Sequence, residues 1–245
     1  MRPLLVPRIV WRFEGAEMNN TNKALLGLFL VGIAPTASVL ASFGTGEGLL
    51  GQISWLTSKL WMLGLPLIWR LKVDNLPISW SKPQNGGFKE ALILGVSFAT
   101  IMLVVWLIFG IDNVDSSEIR DAVEPFGLTV ASTFIAGAIF WTFGNSVLEE
   151  YVFRWFIVEK AEAVIEGMWK TVFLSAGIFV LHHFFALYFL GFPMWLNLLA
   201  CFGLFVGGSA FSWLYMKYRS IWVPFVTHAI CDVVVFGIGY WIIFV

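Results

Sequence analysis

Seven long runs of mostly apolar residues leave this chain few ways to fold. They fall at about 24–43, 49–71, 91–111, 128–148, 171–190, 194–216 and 221–245, most of them near the roughly 20 residues a membrane-spanning helix needs. The fold expected is all-α, a polytopic membrane helix bundle of about seven spans. Composition agrees: 59% of residues are hydrophobic and 13% charged, where soluble domains carry about 25% charged residues. Residues 24–245 are expected to form one integral membrane domain, preceded by a cytoplasmic segment at 1–23.

The stretch 151–158 is too short to cross a bilayer yet apolar enough to be buried. A helix over 148–166, ending at Gly167, would carry it to the membrane boundary as an additional interfacial segment. Between the third and fourth runs, Ile119, Val123 and Phe126 share one helical face near Pro125. That spacing fits a short helix on the outer surface as well as it fits a solvated loop.

Lys and Arg alternate between connections. Arg2, Arg8, Arg12 and Lys23 precede the first run, Arg70, Lys72, Lys82 and Lys89 follow the second, Lys160 and Lys170 the fourth, and Lys217 and Arg219 the sixth. The longest intervening connection carries Asp112, Asp115, Glu118, Asp121 and Glu124 against Arg120. By the positive-inside rule the chain is expected in the cell membrane with its amino terminus cytoplasmic. Lys23, the following apolar run and the small residues from Thr36 to Ser42 also fit a signal peptide, with Met18 as an alternative start. A retained first helix is the preferred reading, with Pro35 tolerated inside the bundle.

The net charge of −1 gives no basic field, so nucleic acid is not expected as a partner. Cys201 and Cys231 are expected to be small packing residues. Gly203 and Gly207 form a G-x-x-x-G pair expected to mark close helix packing within the protein.

Ionisable groups inside apolar runs are costly and therefore candidate functional residues. They cluster as Glu149, Glu150 and Arg154, as His182 and His183, and as His228 and Asp232. Glu150 and Arg154, four apart on a helix, share a face as an ion pair. Glu149 points elsewhere, unpaired by any neighbour in sequence, and is free to act as a general base. Asp232, one turn after His228, is placed to orient its imidazole. His182 and His183 diverge by about 100°, so one of them is expected to face a cavity.

These strings resemble the motifs of the CAAX protease and bacteriocin-processing family of intramembrane proteases, the Abi or Rce1-like group. E-E-x-x-x-R reads Glu149 to Arg154, F-x-x-x-H runs from Phe179 to His183 and so selects His183 over His182, and the last motif runs from His228 to Asp232. The resemblance covers about 128–245. It implies an endopeptidase acting at or near the cytoplasmic membrane surface on a peptide or protein substrate, with no cofactor. Glu149 and His183 would activate a water, His228 and residue 232 would stabilise the oxyanion, and Glu150 and Arg154 would support them. The family usually has Asn where this chain has Asp232. An ionised carboxylate cannot donate to an oxyanion, so Asp232 is protonated, or orients His228, or weakens catalysis.

Three alternatives stay open. Glu149, His183, His228 and Asp232 form a plausible zinc ligand set, although no H-E-x-x-H string is present. A catalytically silent binding or immunity protein would use the same cavity. A transporter would also bury charges, but the amino-terminal half does not repeat the three clusters.

Overall fold

The structure is a computed structural model that describes residues 19–44 and 49–245. Arg2, Arg8, Arg12 and Met18, which enter the orientation and start-site expectations, lie outside them.

Nine helices are described. In chain order they are α1 (Asn20–Gly32), α2 (Ala34–Gly44), α3 (Leu49–Ile68), α4 (Phe88–Gly110), α5 (Ser116–Val123), α6 (Ala131–Glu162), α7 (Met168–Phe189), α8 (Met194–Tyr218) and α9 (Trp222–Phe244). The first apolar run bends at Ile33, just before Pro35, whose missing N–H and ring disfavour a straight helix. Leu28, Val31 and Ala34 on either side of the bend nevertheless pack into the core.

Six segments are long and apolar enough to cross a membrane: Asn20–Gly44, α4, α6, α7, α8 and α9. The helix α3 carries Gln52 and Lys59 and is more polar. It still runs between the same two ends of the bundle, because the chain enters it after Phe43 has stacked on Phe189 and leaves it with Arg70 paired to Glu159. The polytopic all-α architecture is as expected.

The two ends differ in charge. At one, Arg70 pairs with Glu159, Lys160 with Asp74 and Arg219 with Glu162. There the loop after α3 is pinned to the start of α9 by Ser220 donating to the Ser81 carbonyl at 2.7 Å and by the Ile221 amide donating to Ser81 Oγ at 2.9 Å. At the other end α5 is indeed a short helix, with Ile119 and Val123 buried against Phe134, Ile242 and Ile243. Its N-cap Asp115 accepts from the hydroxyl and amide of Ser117, which hold its carboxyl below the usual range.

The segment 151–158 is not a separate interfacial helix. It continues α6, and the side chains from Val152 to Val158 are buried in the central cluster with Leu28, Val31, Met62 and Phe179. An interfacial helix turns one polar face to water, and here even the charged side chain, Arg154, is buried with the rest. The helix stops at Glu162, short of Gly167, and Gly167 takes a φ of 106° in the turn into α7.

Lipid tails are as apolar as the helices, so packing and interhelical hydrogen bonds hold such a bundle together. Thr227 on α9 donates to the Ala91 carbonyl of α4 at 2.9 Å. At the same crossing a Cβ on Gly95 would lie 2.8 Å from Ile230. Between α7 and α8 the contact glycine is Gly208, where a Cβ would meet Phe179 at 3.1 Å. Among the described residues Gly203 has nothing within 4 Å, and Gly207 only Phe211 of its own helix at 3.9 Å, so the G-x-x-x-G pair does not mark the internal packing expected of it there. One residue is about 100° of helix rotation, enough to turn Gly207 away from the contact Gly208 makes. Cys201 and Cys231 are buried, as expected of packing residues.

Candidate active site

Three helices bring the polar residues together midway along the bundle. Glu149, Glu150 and Arg154 come from α6, His182 and His183 from α7, and His228 and Asp232 from α9. On α6 the two glutamates sit between π-helical stretches at Phe140–Asn145 and Tyr151–Val158. A π turn adds a residue to the helical repeat, changes the facing of the side chains that follow, and recurs at functional sites. The altered register brings Ser146 Oγ within 2.8 Å of the Trp141 carbonyl five residues back.

Glu149 is not unpaired by its sequence neighbours. Asn145, one turn earlier, donates to its Oε1 at 2.7 Å, and Lys59 of α3 donates to the Asn145 Oδ1 at 2.6 Å. His182 Nε2 lies 3.8 Å from Glu149 Oε1, and His228 Nε2 lies 3.6 Å from Oε2. Both vicinal histidines reach the cluster: Glu149, His182 and His183 present ligand atoms within 4.8 Å of one another. Their ring centroids lie 4.0 Å apart, so the two imidazoles do not diverge as the helical spacing led one to expect, and one carboxylate is within range of both. His183 Nδ1 contacts the Phe179 carbonyl at 2.9 Å, so that nitrogen carries a proton, and in the neutral ring Nε2 keeps its lone pair. Phe153 stacks on His182 with ring centroids 5.6 Å apart.

His228 is oriented by a different carboxylate from the one expected. Its Nδ1 lies 2.8 Å from Glu150 Oε1, whereas Asp232 Oδ1 is 3.7 Å from Nε2, beyond hydrogen-bond range. Asp232 instead accepts from Ser146 through Oδ2. Spacing by one turn put Asp232 on the right face, but a partner on another helix had the better reach.

Arg154 is fully buried, with Nη1 3.3 Å from Glu150 Oε1 and its guanidinium 4.7 Å from the Phe179 ring centre and 5.1 Å from that of Phe211. Three carboxyl groups, Glu149, Glu150 and Asp232, are thus set among the basic side chains Arg154, His182 and His228. Such balance limits the cost of holding charge in a bilayer.

Sequence reading missed Lys59, Asn145, Ser146 and the role of His182. Lys59 was detectable as an ionisable residue in an apolar run. Asn145 and Ser146 lie four and three residues before Glu149, the spacing of same-face helix neighbours. Nothing in the sequence pairs Glu150 with His228.

Among the described residues, the donors that converge closely enough to share one ion are Glu149, His182 and His183. This differs from the expected set, because His228 and Asp232 lie outside that group. Two histidines and a glutamate are a known donor set for catalytic zinc.

Residues 131–234 match the family model for Type II CAAX prenyl endopeptidase Rce1-like proteins. No curated protein and no solved structure matches the chain significantly.

Proposed function

With an Rce1-like domain over residues 131–234, and the peptidase activity that such a domain implies, we propose that this multi-pass membrane protein is an endopeptidase in which Glu149 activates the attacking water. The observation that carries the reading is the convergence of a buried carboxylate, Glu149, with His182, His183 and His228 from two other helices.

A water held between Glu149 and His183 Nε2 would lose its proton to Glu149 as its oxygen attacks a substrate carbonyl. The negative charge that develops would meet His228 Nε2. Because Nδ1–H of His228 is committed to Glu150, Nε2 donates only in the imidazolium form. The nearby carboxylates of Glu149, Glu150 and Asp232 balance that form. Glu149 would then return its proton to the leaving amine. The substrate is a peptide or protein reaching the site from within or beside the bilayer.

The end rich in Lys and Arg is assigned to the cytoplasm. Glu149 lies 13 residues before the end of α6, or roughly 20 Å at the helical rise, and so sits inside the bundle.

A zinc-dependent reaction is a second reading, favoured by the approach of Glu149, His182 and His183. In it those three side chains would hold the ion, and the ion would polarise the carbonyl and acidify the water.

The protein in detergent, offered a quenched-fluorescent peptide library, separates these readings. Activity lost in Glu149→Ala and His228→Ala but retained with a strong zinc chelator supports the glutamate mechanism. Loss on chelation with recovery on adding zinc supports the metal. If both variants cleave as well as wild type, or both keep full function in cells while wild type cleaves nothing, the peptidase reading fails and a binding role replaces it.

A further inference from the structure

Lys59 is an ionisable residue on a helix of the membrane bundle, outside the 131–234 family match. A lysine in that setting normally meets a carboxylate or water. Among the described residues none of the ion pairs involves Lys59, and its ammonium donates to a neutral amide, Asn145 Oδ1, at 2.6 Å. The carboxylate lies one step further on, where Asn145 Nδ2 donates to Glu149 Oε1 at 2.7 Å.

This order has a chemical reason. An ammonium only donates, an ionised carboxylate only accepts, and an amide has one end of each kind. Held between the two, Asn145 has a single favourable orientation: its oxygen faces Lys59 and its NH2 faces Glu149. The reversed amide would set NH2 against the ammonium and oxygen against the carboxylate. Polarisation along the chain strengthens both hydrogen bonds. With Oε1 occupied in this way, Oε2 is the oxygen turned toward His228, at 3.6 Å from its Nε2.

The geometry points to Lys59 as a positioning residue for Glu149, acting through Asn145, so that α3 completes an active site whose other residues lie on α6, α7 and α9. This rests on the reading of Glu149 as the catalytic base. Its consequence is that the region matching the family is incomplete as a catalyst without the preceding helices.

The test uses the full chain in detergent with a quenched-fluorescent peptide that wild type cleaves. Lys59→Met keeps the apolar stem and removes the donor. Its kcat should fall about 10- to 100-fold, the scale expected when a reacting group is misplaced by an ångström or less, with KM within about twofold. Lys59→Arg, also donor-only, should recover most of kcat. In an Asn145→Leu background the Lys59→Met change should add little, since the connection is already cut. An unchanged kcat in Lys59→Met, a loss confined to KM, or full additivity with Asn145→Leu would each overturn the inference. Glu149→Gln is run alongside. Activity that survives it overturns the base reading, whereas activity lost there but intact in Lys59→Met overturns this inference alone.

A measurement that needs no substrate supplements the kinetics. The infrared carboxylate band that disappears in Glu149→Gln should shift in Lys59→Met and return in Lys59→Arg. A band unmoved by Lys59→Met would sink the proposal whatever the turnover data gave.

Discussion

His228 Nδ1 lies 2.8 Å from Glu150 Oε1, joining α9 to α6 through a buried hydrogen bond between residues 78 apart in sequence. The second glutamate of the pair therefore sets the tautomer and direction of the imidazole. Glu150→Gln can still accept the Nδ1 proton but no longer balances an imidazolium. Its kcat should drop by about 100-fold or more, the scale of removing the orienting carboxylate from a catalytic histidine. Steady-state kinetics with the protein shown to be folded would check this, and near-normal turnover would remove Glu150 from the mechanism.

Arg154 supports the same carboxylate at 3.3 Å while enclosed by Phe153, Phe179 and Phe211. Arg154→Met leaves a buried Glu150 without its cation, and a loss of about 3–5 kcal/mol is expected for breaking one side of such a pair. The midpoint of unfolding in detergent should fall accordingly. The double variant Glu150→Gln/Arg154→Met should regain part of that stability without regaining activity, because the imidazole support is still missing. Equal destabilisation in single and double variants would show that the ion pair is not the source.

Asp232 accepts from Ser146 and stands 3.7 Å from His228 Nε2. Asp232→Asn keeps an oxygen for Ser146 and gains an NH2 on the side where an oxyanion would form. Its kcat should equal or exceed that of wild type, while Asp232→Leu should lose roughly tenfold or more, as when an oxyanion donor is removed. A collapse of activity in Asp232→Asn would instead mean that the negative charge itself is required.

Gly208 and Gly203 make a matched pair for stability. A side chain at Gly208 would press on Phe179 and Ala176, whereas Gly203 faces open space. Gly208→Leu should cost about 1–3 kcal/mol through overpacking, and Gly203→Leu should leave the melting midpoint in detergent unchanged. Sensitivity at Gly203 instead would mean that its face is covered by something other than the described residues.

Much of the site was legible because membrane burial makes charge conspicuous. Glu149, His183 and His228 stand out in apolar runs, and the run lengths alone require helices. What spacing got wrong has one physical origin. Sequence shows which residues share a face of one helix, so it favoured Asp232 as the partner of His228, while Asn145, on the face of Glu149, was passed over because it carries no charge. The actual partner of His228 lies across a helix boundary. The interfacial helix expected around 151–158 failed for a related reason: periodicity does not reveal that neighbouring helices enclose a segment on every side.

The sequence by itself determined that the chain must be a helical membrane bundle, since apolar runs of bilayer length have no other way to satisfy their backbone groups. It also determined which side chains needed a reason to be there, since an unpaired charge in that setting costs several kcal/mol. Only the tertiary structure decided the pairings between helices: Glu150 with His228, Lys59 with Asn145, Ser146 with Asp232. Those contacts depend on how far helices are rotated and shifted against one another, and that is set by the packing of the whole bundle, which no local spacing encodes.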